Sequence, residues 1–184
     1  MKKLSLALVA ALSLSTAAFA QTAGTAGSDG QIKFTGTVTE KGCEIVAGNS
    51  ANINLGSMPI ASLKNAFSGW TPGEIKFINC NLEAKEGEEL QSVSITINPG
   101  AKASFGDNLW ANSGKATGVG IEVEIGGKDG IVPIPPAGVT TPIIANIDKV
   151  NGTATYQVRG RMAGDGTVTA GSVETTISFV ASYK

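Results

Sequence analysis

The chain contains no histidine and only two cysteines among its 184 residues. Without histidine, the serine–histidine and cysteine–histidine pairs that activate nucleophiles in many hydrolases cannot be built. Carboxylates are present, but they fall in segments typical of solvated loops, the acidic run over residues 83–89 included. We therefore predict that the chain is not an enzyme and has no metal site and no cofactor.

An excess of basic charge is also missing. The formal net charge is -1, and the lysines and arginines are scattered along the chain. Nucleic-acid binders usually concentrate basic residues in one patch or stripe. We therefore expect no nucleic-acid partner.

The only long apolar stretch lies at the start of the chain. Lys2 and Lys3 precede an apolar run over residues 4–12, and small residues around Ala18 and Ala20 follow it. This order is typical of a secretory signal peptide, and the run is too short for a transmembrane helix. We predict export, with cleavage after Ala20.

Export bears on the two cysteines, Cys43 and Cys80. Two thiols in an oxidising compartment most often pair, so we predict an intramolecular disulfide. A redox-active pair would normally show close spacing near a helix start, which is absent here.

Short alternating segments occur at fairly regular intervals after Cys43. Examples are the inward-facing sets around Ile95, Ile121 and Val158, and an Asn151-Gly152 pair that favours a tight hairpin. With no long helical pattern, these segments predict an antiparallel β-sandwich of immunoglobulin-like type.

Two alternating segments lie at the ends of the mature chain. Residues 31–38 alternate apolar and polar side chains, and residues 171–183 do the same up to the penultimate residue. The first segment is either an ordinary first strand of a closed sandwich or a strand that pairs with another molecule. If it is not part of this domain, the last strand becomes an edge beside an unfilled groove.

These features together resemble a pilus subunit of the chaperone–usher pathway, similar to the type 1 and P pilus major pilins. The resemblance lies in the alternation before Cys43, the single cysteine pair, the final strand and the penultimate Tyr183. It implies an incomplete immunoglobulin-like sandwich that lacks its last strand and is completed by a donor strand from another subunit. The implied organisation is a signal peptide (1–20), an N-terminal extension that is the donor strand (21–40) and a pilin domain (41–184).

The resemblance also implies residue roles and partners. The donor residues would be Ile32, Phe34, Gly36 and Val38. The acceptor groove, which would also contact a periplasmic chaperone, would be lined by Gly171, Val173, Thr175, Ile177, Phe179, Ala181 and Tyr183. The expected partners are copies of the chain or related pilins, the chaperone, an outer-membrane usher and, through the assembled fibre at the cell surface, a host receptor.

Two alternatives stay open at this stage. One is a minor adaptor pilin, and the other is a self-contained secreted sandwich that binds carbohydrate. Trp70 and Trp110 both lie in turn-rich segments, where an aromatic ring can stack on a sugar. Core or interface packing is the commoner role of a tryptophan.

Overall fold

The structure, a computed structural model, describes residues 42–46, 52–80 and 91–184. These ranges contain antiparallel strands and one short helix. In chain order the elements are β1 (Glu44–Ile45), α1 (Ile60–Leu63), β2 (Thr71–Ile78), β3 (Val93–Ile97), β4 (Trp110–Ala111), β5 (Val119–Gly127), β6 (Gly130–Pro133), β7 (Val139–Ile144), β8 (Asn146–Asp148), β9 (Thr153–Gly164) and β10 (Phe179–Tyr183). The predicted all-β fold class is confirmed. The predicted signal peptide and N-terminal extension lie outside the described residues.

The larger of the two sheets formed by the described residues is organised around β9. Its main path runs β1-β2-β9-β5-β4, while β6 pairs with β5 and β8 pairs with β9. All pairings are antiparallel, and β9 is 12 residues long. Ile75 and Ile121 lie opposite Tyr156 and Met162 of β9, respectively. This strand is the longest of the described strands and pairs with β2, β5 and β8.

The smaller sheet has the order β10-β3-β7, again antiparallel. Its central strand β3 is buried at every position except Thr96, which is half-buried. Within the described part of the chain, β7 and β10 are edge strands. Pro142 lies in β7, a position that proline tolerates because an edge strand has one side without ladder hydrogen bonds.

Alternating apolar side chains from β3, β5 and β9 fill the space between the sheets, as the sequence predicts. The predicted inward-facing residues of these strands are all buried: Val93, Ile95, Ile97, Ile121, Val123, Ile125, Tyr156, Val158, Gly160 and Met162. Phe77 of β2 is fully buried among them. The period-2 pattern therefore assigned the core face of these strands correctly.

Tyr156 ties the two sheets together. Its ring is fully buried, and its hydroxyl lies 3.0 Å from the carbonyl oxygen of Val93 and 3.2 Å from that of Ile143, both in the opposite sheet. Burial raises the pKa of this hydroxyl well above its usual value, so it stays a protonated donor. A buried hydroxyl without such a partner would destabilise the core.

The predicted disulfide between Cys43 and Cys80 is present. It joins Cys43, which directly precedes β1, to Cys80, which follows β2. These two strands pair with each other, and Glu44 lies opposite Ile78. The bond closes a loop with a sequence separation of 37 residues. In the loop-entropy description, a closure of this length is worth about 4 kcal/mol.

Replacing both Cys43 and Cys80 with alanine should therefore lower the free energy of unfolding by about 2 to 5 kcal/mol. Urea unfolding of the non-reduced protein would measure this loss. Ser57→Ala is the matched control, because Ser57 is exposed and its change should leave the midpoint almost unaltered. Equal midpoints for the double variant and the parent would contradict a stabilising role.

Helix α1 is four residues long and buries only Leu63. Among the described residues, no helix is long and apolar enough to cross a membrane.

Candidate functional site

The C-terminal segment carries a row of half-buried side chains along the free edge of the smaller sheet. Every second residue is half-buried and the residues between are exposed, and the half-buried row consists of Val173, Thr175, Ile177, Phe179, Ala181 and Tyr183. None reaches the full burial of the matching positions in β3 and β9. On its other side β10 pairs with no strand in the described ranges, since its ladder partner is β3 alone.

The strand is shorter than predicted. The sequence predicts a strand from Gly171, but regular pairing begins only at Phe179. Upstream, the segment lies against the loop over residues 112–116 instead of a strand: Ala116 and Ser113 donate their amides to the carbonyls of Ser172 and Glu174. Because a loop offers no regular ladder, the segment stays extended without forming a strand. Gly171 itself is exposed and packs closely on Lys115 and Ala116.

Asn112 holds this contact in place. Its side-chain oxygen accepts hydrogen bonds from the amides of Gly114, at 2.8 Å, and Glu174, at 2.7 Å. Its amide nitrogen donates to the carbonyl of Ala116 at 2.8 Å. Asn112 could not be predicted from the sequence, since an asparagine in a turn-rich segment carries no signal for a partner 62 residues away.

A second half-buried row comes from residues 52–56. Ile53 and Leu55 are half-buried, and the residues on either side of them are exposed. Both side chains lie over glycines of the larger sheet: a Cβ added to Gly73 would be 2.7 Å from Ile53, and one added to Gly160 would be 3.3 Å from Leu55. Leu55 and Val173 both pack against one buried cluster, which consists of Leu63, Ala116, Val119 and Met162. The sequence predicts a strand over residues 52–56, but in the structure this segment forms no β-strand pairing.

The last strand is anchored through aromatic contacts around Phe77. The rings of Phe179 and Tyr183 meet the Phe77 ring edge to face, with centroids 6.5 and 6.4 Å apart. The Tyr183 hydroxyl also donates to the carbonyl of Cys43 at 3.4 Å, which links the chain end to the disulfide. Burial raises the pKa of Tyr183, which keeps this donor protonated.

The predicted site consists of donor residues and acceptor residues, and the structure describes only the acceptor residues. The proposed donor residues Ile32, Phe34, Gly36 and Val38 lie outside the described residues and stay predictions. The acceptor residues from Val173 to Tyr183 lie on one face, but their role in binding a strand is likewise a prediction.

The two tryptophans that could stack on a sugar both make contacts within the protein. Trp110 is 2% exposed and donates its indole N–H to the carbonyl of Ile134 at 2.7 Å, so it is a core residue. The ring of Trp70 is half-buried, with the guanidinium carbons of Arg159 and Arg161 lying 4.7 and 4.3 Å from its centroid. Trp110 therefore has no face open to a sugar, while Arg159 and Arg161 already lie over the Trp70 ring.

These arginines are in turn paired across the sheet. Arg159 binds Glu124 at 2.5 Å, and Arg161 binds Glu122 at 2.6 Å. The partners lie on directly opposed positions of β9 and β5, so the pairs support the register of these strands.

Comparison with known proteins gives a consistent set of relatives. A sequence profile of the family described as fimbrial protein matches residues 32–184. The S-fimbrial adhesin protein SfaS of Escherichia coli O6:K15:H31 (strain 536 / UPEC) is 26% identical over 157 residues, which cover 84% of this chain and 85% of SfaS. The uncharacterised fimbrial-like protein YbgD of Escherichia coli K12 is 33% identical over 101 residues, which cover 51% of this chain and 54% of YbgD.

Solved structures share the fold. A subunit of a chaperone–usher pilus, solved in work on rod uncoiling, has a TM-score of 0.58 at 18% identity, covering 88% of this chain and 99% of that one. The CupB6 tip adhesin from Pseudomonas aeruginosa has a TM-score of 0.56 at 21% identity, covering 77% of this chain and 38% of that one. The fold is thus that of a pilin. Because the profile match spans most of its length, the chain belongs to the fimbrial protein family.

Proposed function

We propose that this fimbrial subunit polymerises by donor-strand exchange. The N-terminal extension of one subunit, residues 21–40, adds as a strand to the free edge of β10 in the next subunit. The residues Ile32, Phe34 and Val38 then cover the half-buried row that ends at Tyr183. In this description the chain is a structural component of a surface fibre, with no catalytic role.

One observation carries the proposal: an edge strand whose inward face is only half-buried. An exposed strand edge with apolar side chains is an aggregation hazard, which native proteins cover. Strand addition covers it with main-chain hydrogen bonds, while alternate side chains enter the core and fix the register. A periplasmic chaperone would supply a temporary strand before assembly at the usher.

The energetics favour long-lived joints. Burying each large apolar donor side chain contributes about 1.5 to 3 kcal/mol, and each net main-chain hydrogen bond about 0.5 to 1.5 kcal/mol. Gly36 fits a point where the donor backbone must approach the core closely, because glycine adds no side chain there. The sum over one strand greatly exceeds thermal energy, so subunits joined in this way should rarely dissociate.

The test is the assembly state of the purified mature protein. We expect a ladder of multimers that survives denaturant at room temperature and collapses to monomers on boiling. The control lacks residues 21–40, and it should accept a strand without donating one, so it should form no ladder. A ladder from this truncated chain, or none from the full mature chain, would overturn the proposal.

A further inference from the structure

Val150 is 90% exposed, the highest value among the large hydrophobic residues of the described chain. It lies in the turn between β8 and β9. The carboxylate of Asp148 fixes this turn: Oδ1 accepts the amides of Val150 and Asn151 at 3.0 and 3.1 Å, and Oδ2 accepts the Asn151 side-chain amide at 2.6 Å. The turn therefore presents the isopropyl group of Val150 to solvent from a fixed position.

A surface cavity of about 380 Å³, widely open to solvent, lies at the other end of β9. Its lining is mostly apolar and consists of Asn65, Ala66, Phe67, Phe105, Gly106, Leu109, Ala163, Gly164 and Asp165. The ring of Phe67 is 52% exposed. Asp165 adds a carboxylate, whose Oδ1 binds the amide and hydroxyl of Thr167. Its Oδ2 accepts no hydrogen bond from the described residues.

The two features cannot meet within one subunit. The turn precedes β9 and Asp165 follows it, so the 12 residues of this strand separate them. At about 3.3 Å per residue, the separation is about 40 Å. Two copies arranged head to tail can bring them together, and such a heterologous contact repeats along a linear fibre.

Charge also matches across this contact. Lys149, next to Val150, forms no ion pair with any described residue and is exposed. Asp165 lies at the cavity with one oxygen unbound. Two opposite charges near an apolar insertion favour one partner orientation over others.

We propose that Val150 of one subunit inserts into the cavity of the subunit that accepts its donor strand, with Lys149 facing Asp165. This inference rests on the donor-strand function proposed above. The covered side chains would then be Val150 on one subunit and the rings of Phe67 and Phe105 on the other.

The path of the donor strand supports a contact between the Val150 turn of one subunit and the cavity of the next. The turn lies beside the disulfide, since the Cys80 amide donates to the carbonyl of Gly152 at 3.0 Å. Val38 is five residues before Cys43, and five residues span at most about 17 Å. The donor of one subunit therefore keeps its own turn close to the acceptor.

The position of the cavity on the accepting subunit also fits this contact. All strand pairs of the described residues are antiparallel, and a donor that adds to β10 in the same sense places Val38 near the start of the C-terminal segment. That segment begins just after the cavity, because Asp165 and Thr167 lead into it and Thr169 donates its amide to Thr117. The donor subunit's turn and the acceptor's cavity thus face each other.

The contact is small, so it would not hold two free subunits together. In a fibre the donor strand tethers the two subunits and raises their effective concentration. A second contact that is weak by itself can then form in most subunits. Its consequence would be a fixed angle between consecutive subunits.

Cysteine crosslinking in multimers of the mature chain tests the inference. The natural cysteines are both in the disulfide, so introduced cysteines react selectively. Val150→Cys is combined with Phe105→Cys in one variant and with Phe67→Cys in a second, and each is treated with a short bifunctional thiol reagent. The control combines Val150→Cys with Asp129→Cys, because Asp129 lies beyond the end of β5 that is remote from the cavity.

We expect boiled samples of at least one cavity variant to keep most subunits in crosslinked multimers, while the control returns to monomers. Multimers that form normally but leave both cavity variants uncrosslinked would overturn the inference and leave donor-strand exchange intact. Crosslinking of the control to the same extent would also overturn it. Failure of all the chains, including the unmutated one, to form multimers would overturn the donor-strand proposal and this inference with it.

Discussion

Replacing Phe34 with aspartate should abolish fibre formation while leaving the subunit able to accept a donor strand. Phe34 is the largest apolar side chain on the proposed donor face. The variant loses about 1.5 to 3 kcal/mol of apolar burial and places an unpaired carboxylate in the core of the next subunit, at a cost of several kcal/mol more. A loss of about 5 kcal/mol weakens a joint more than a thousandfold.

Electron microscopy and a non-boiled denaturing gel would measure this loss. Lys33→Glu is the matched control, since Lys33 lies on the opposite face of the alternating segment and its charge would stay in water. We expect this control to form fibres normally. Mixing the Phe34→Asp subunit with unmutated subunits should cap growing chains, because the variant accepts a donor but cannot donate one. Fibres of normal length from the aspartate variant would place the donor strand elsewhere in the chain.

Local sequence pattern predicted the strands that have one clear apolar face. β3, β5 and β9 alternate strictly, and their apolar side chains are buried as the pattern requires. The Asn151-Gly152 pair predicted a hairpin, and β8 and β9 form one through the loop over residues 149–152, in which Gly152 has a positive φ of 61° while Asn151 does not. Both signals depend on residues within a few positions of each other.

Which distant segments pair with each other could not be predicted from local sequence pattern. β7 carries Pro142 and two threonines, so it lacks an alternating pattern and was not predicted. The segment after Gly171 alternates as well as any strand, but the loop held by Asn112 is what it contacts. Strand register depends on which partner lies alongside, and a single segment does not encode its partner.

The candidate site shows the same division. The inward direction of Phe179 and Tyr183 follows from alternation, and the structure gives them the expected orientation toward Phe77. Their row stays half-buried because β10 is an edge strand of the smaller sheet, which the resemblance to pilins implied but alternation alone does not. The cavity near Asp165 had no sequence signal, because Phe67 is far in the chain from the loop that holds Phe105 and Leu109.

A chain that carries its own donor strand should be a stable monomer. The design deletes residues 21–40 and appends a copy of residues 30–40 after Lys184 through a linker of about four to six residues, a common hairpin length. β10 ends at Tyr183, so the appended strand can fold back along its free edge. The missing strand is then supplied within the chain at high effective concentration. We expect a single species in light scattering and no multimer ladder.

The thermal midpoint of this chain should exceed that of the chaperone-released subunit by at least about 10 °C. Three buried donor side chains and a row of hydrogen bonds supply at least about 5 kcal/mol. Each kcal/mol raises the midpoint by about 2 to 4 °C for a domain of this size. The matched control carries the Phe34→Asp change in the appended copy, and its midpoint should stay near that of the released subunit.

The same measurement separates a polymerising pilin from a closed, self-contained sandwich. In a closed sandwich, residues 31–38 would be a genuine first strand with its own place in the sheet. Deleting them would then remove part of the core, and a copy attached behind Lys184 would have the wrong connection to restore it. An aggregated or unfolded product would therefore contradict donor-strand exchange. A monomer with a raised midpoint that is lost in the aspartate control requires an acceptor edge beside β10, because only there can an antiparallel strand attached after Tyr183 bury Phe34.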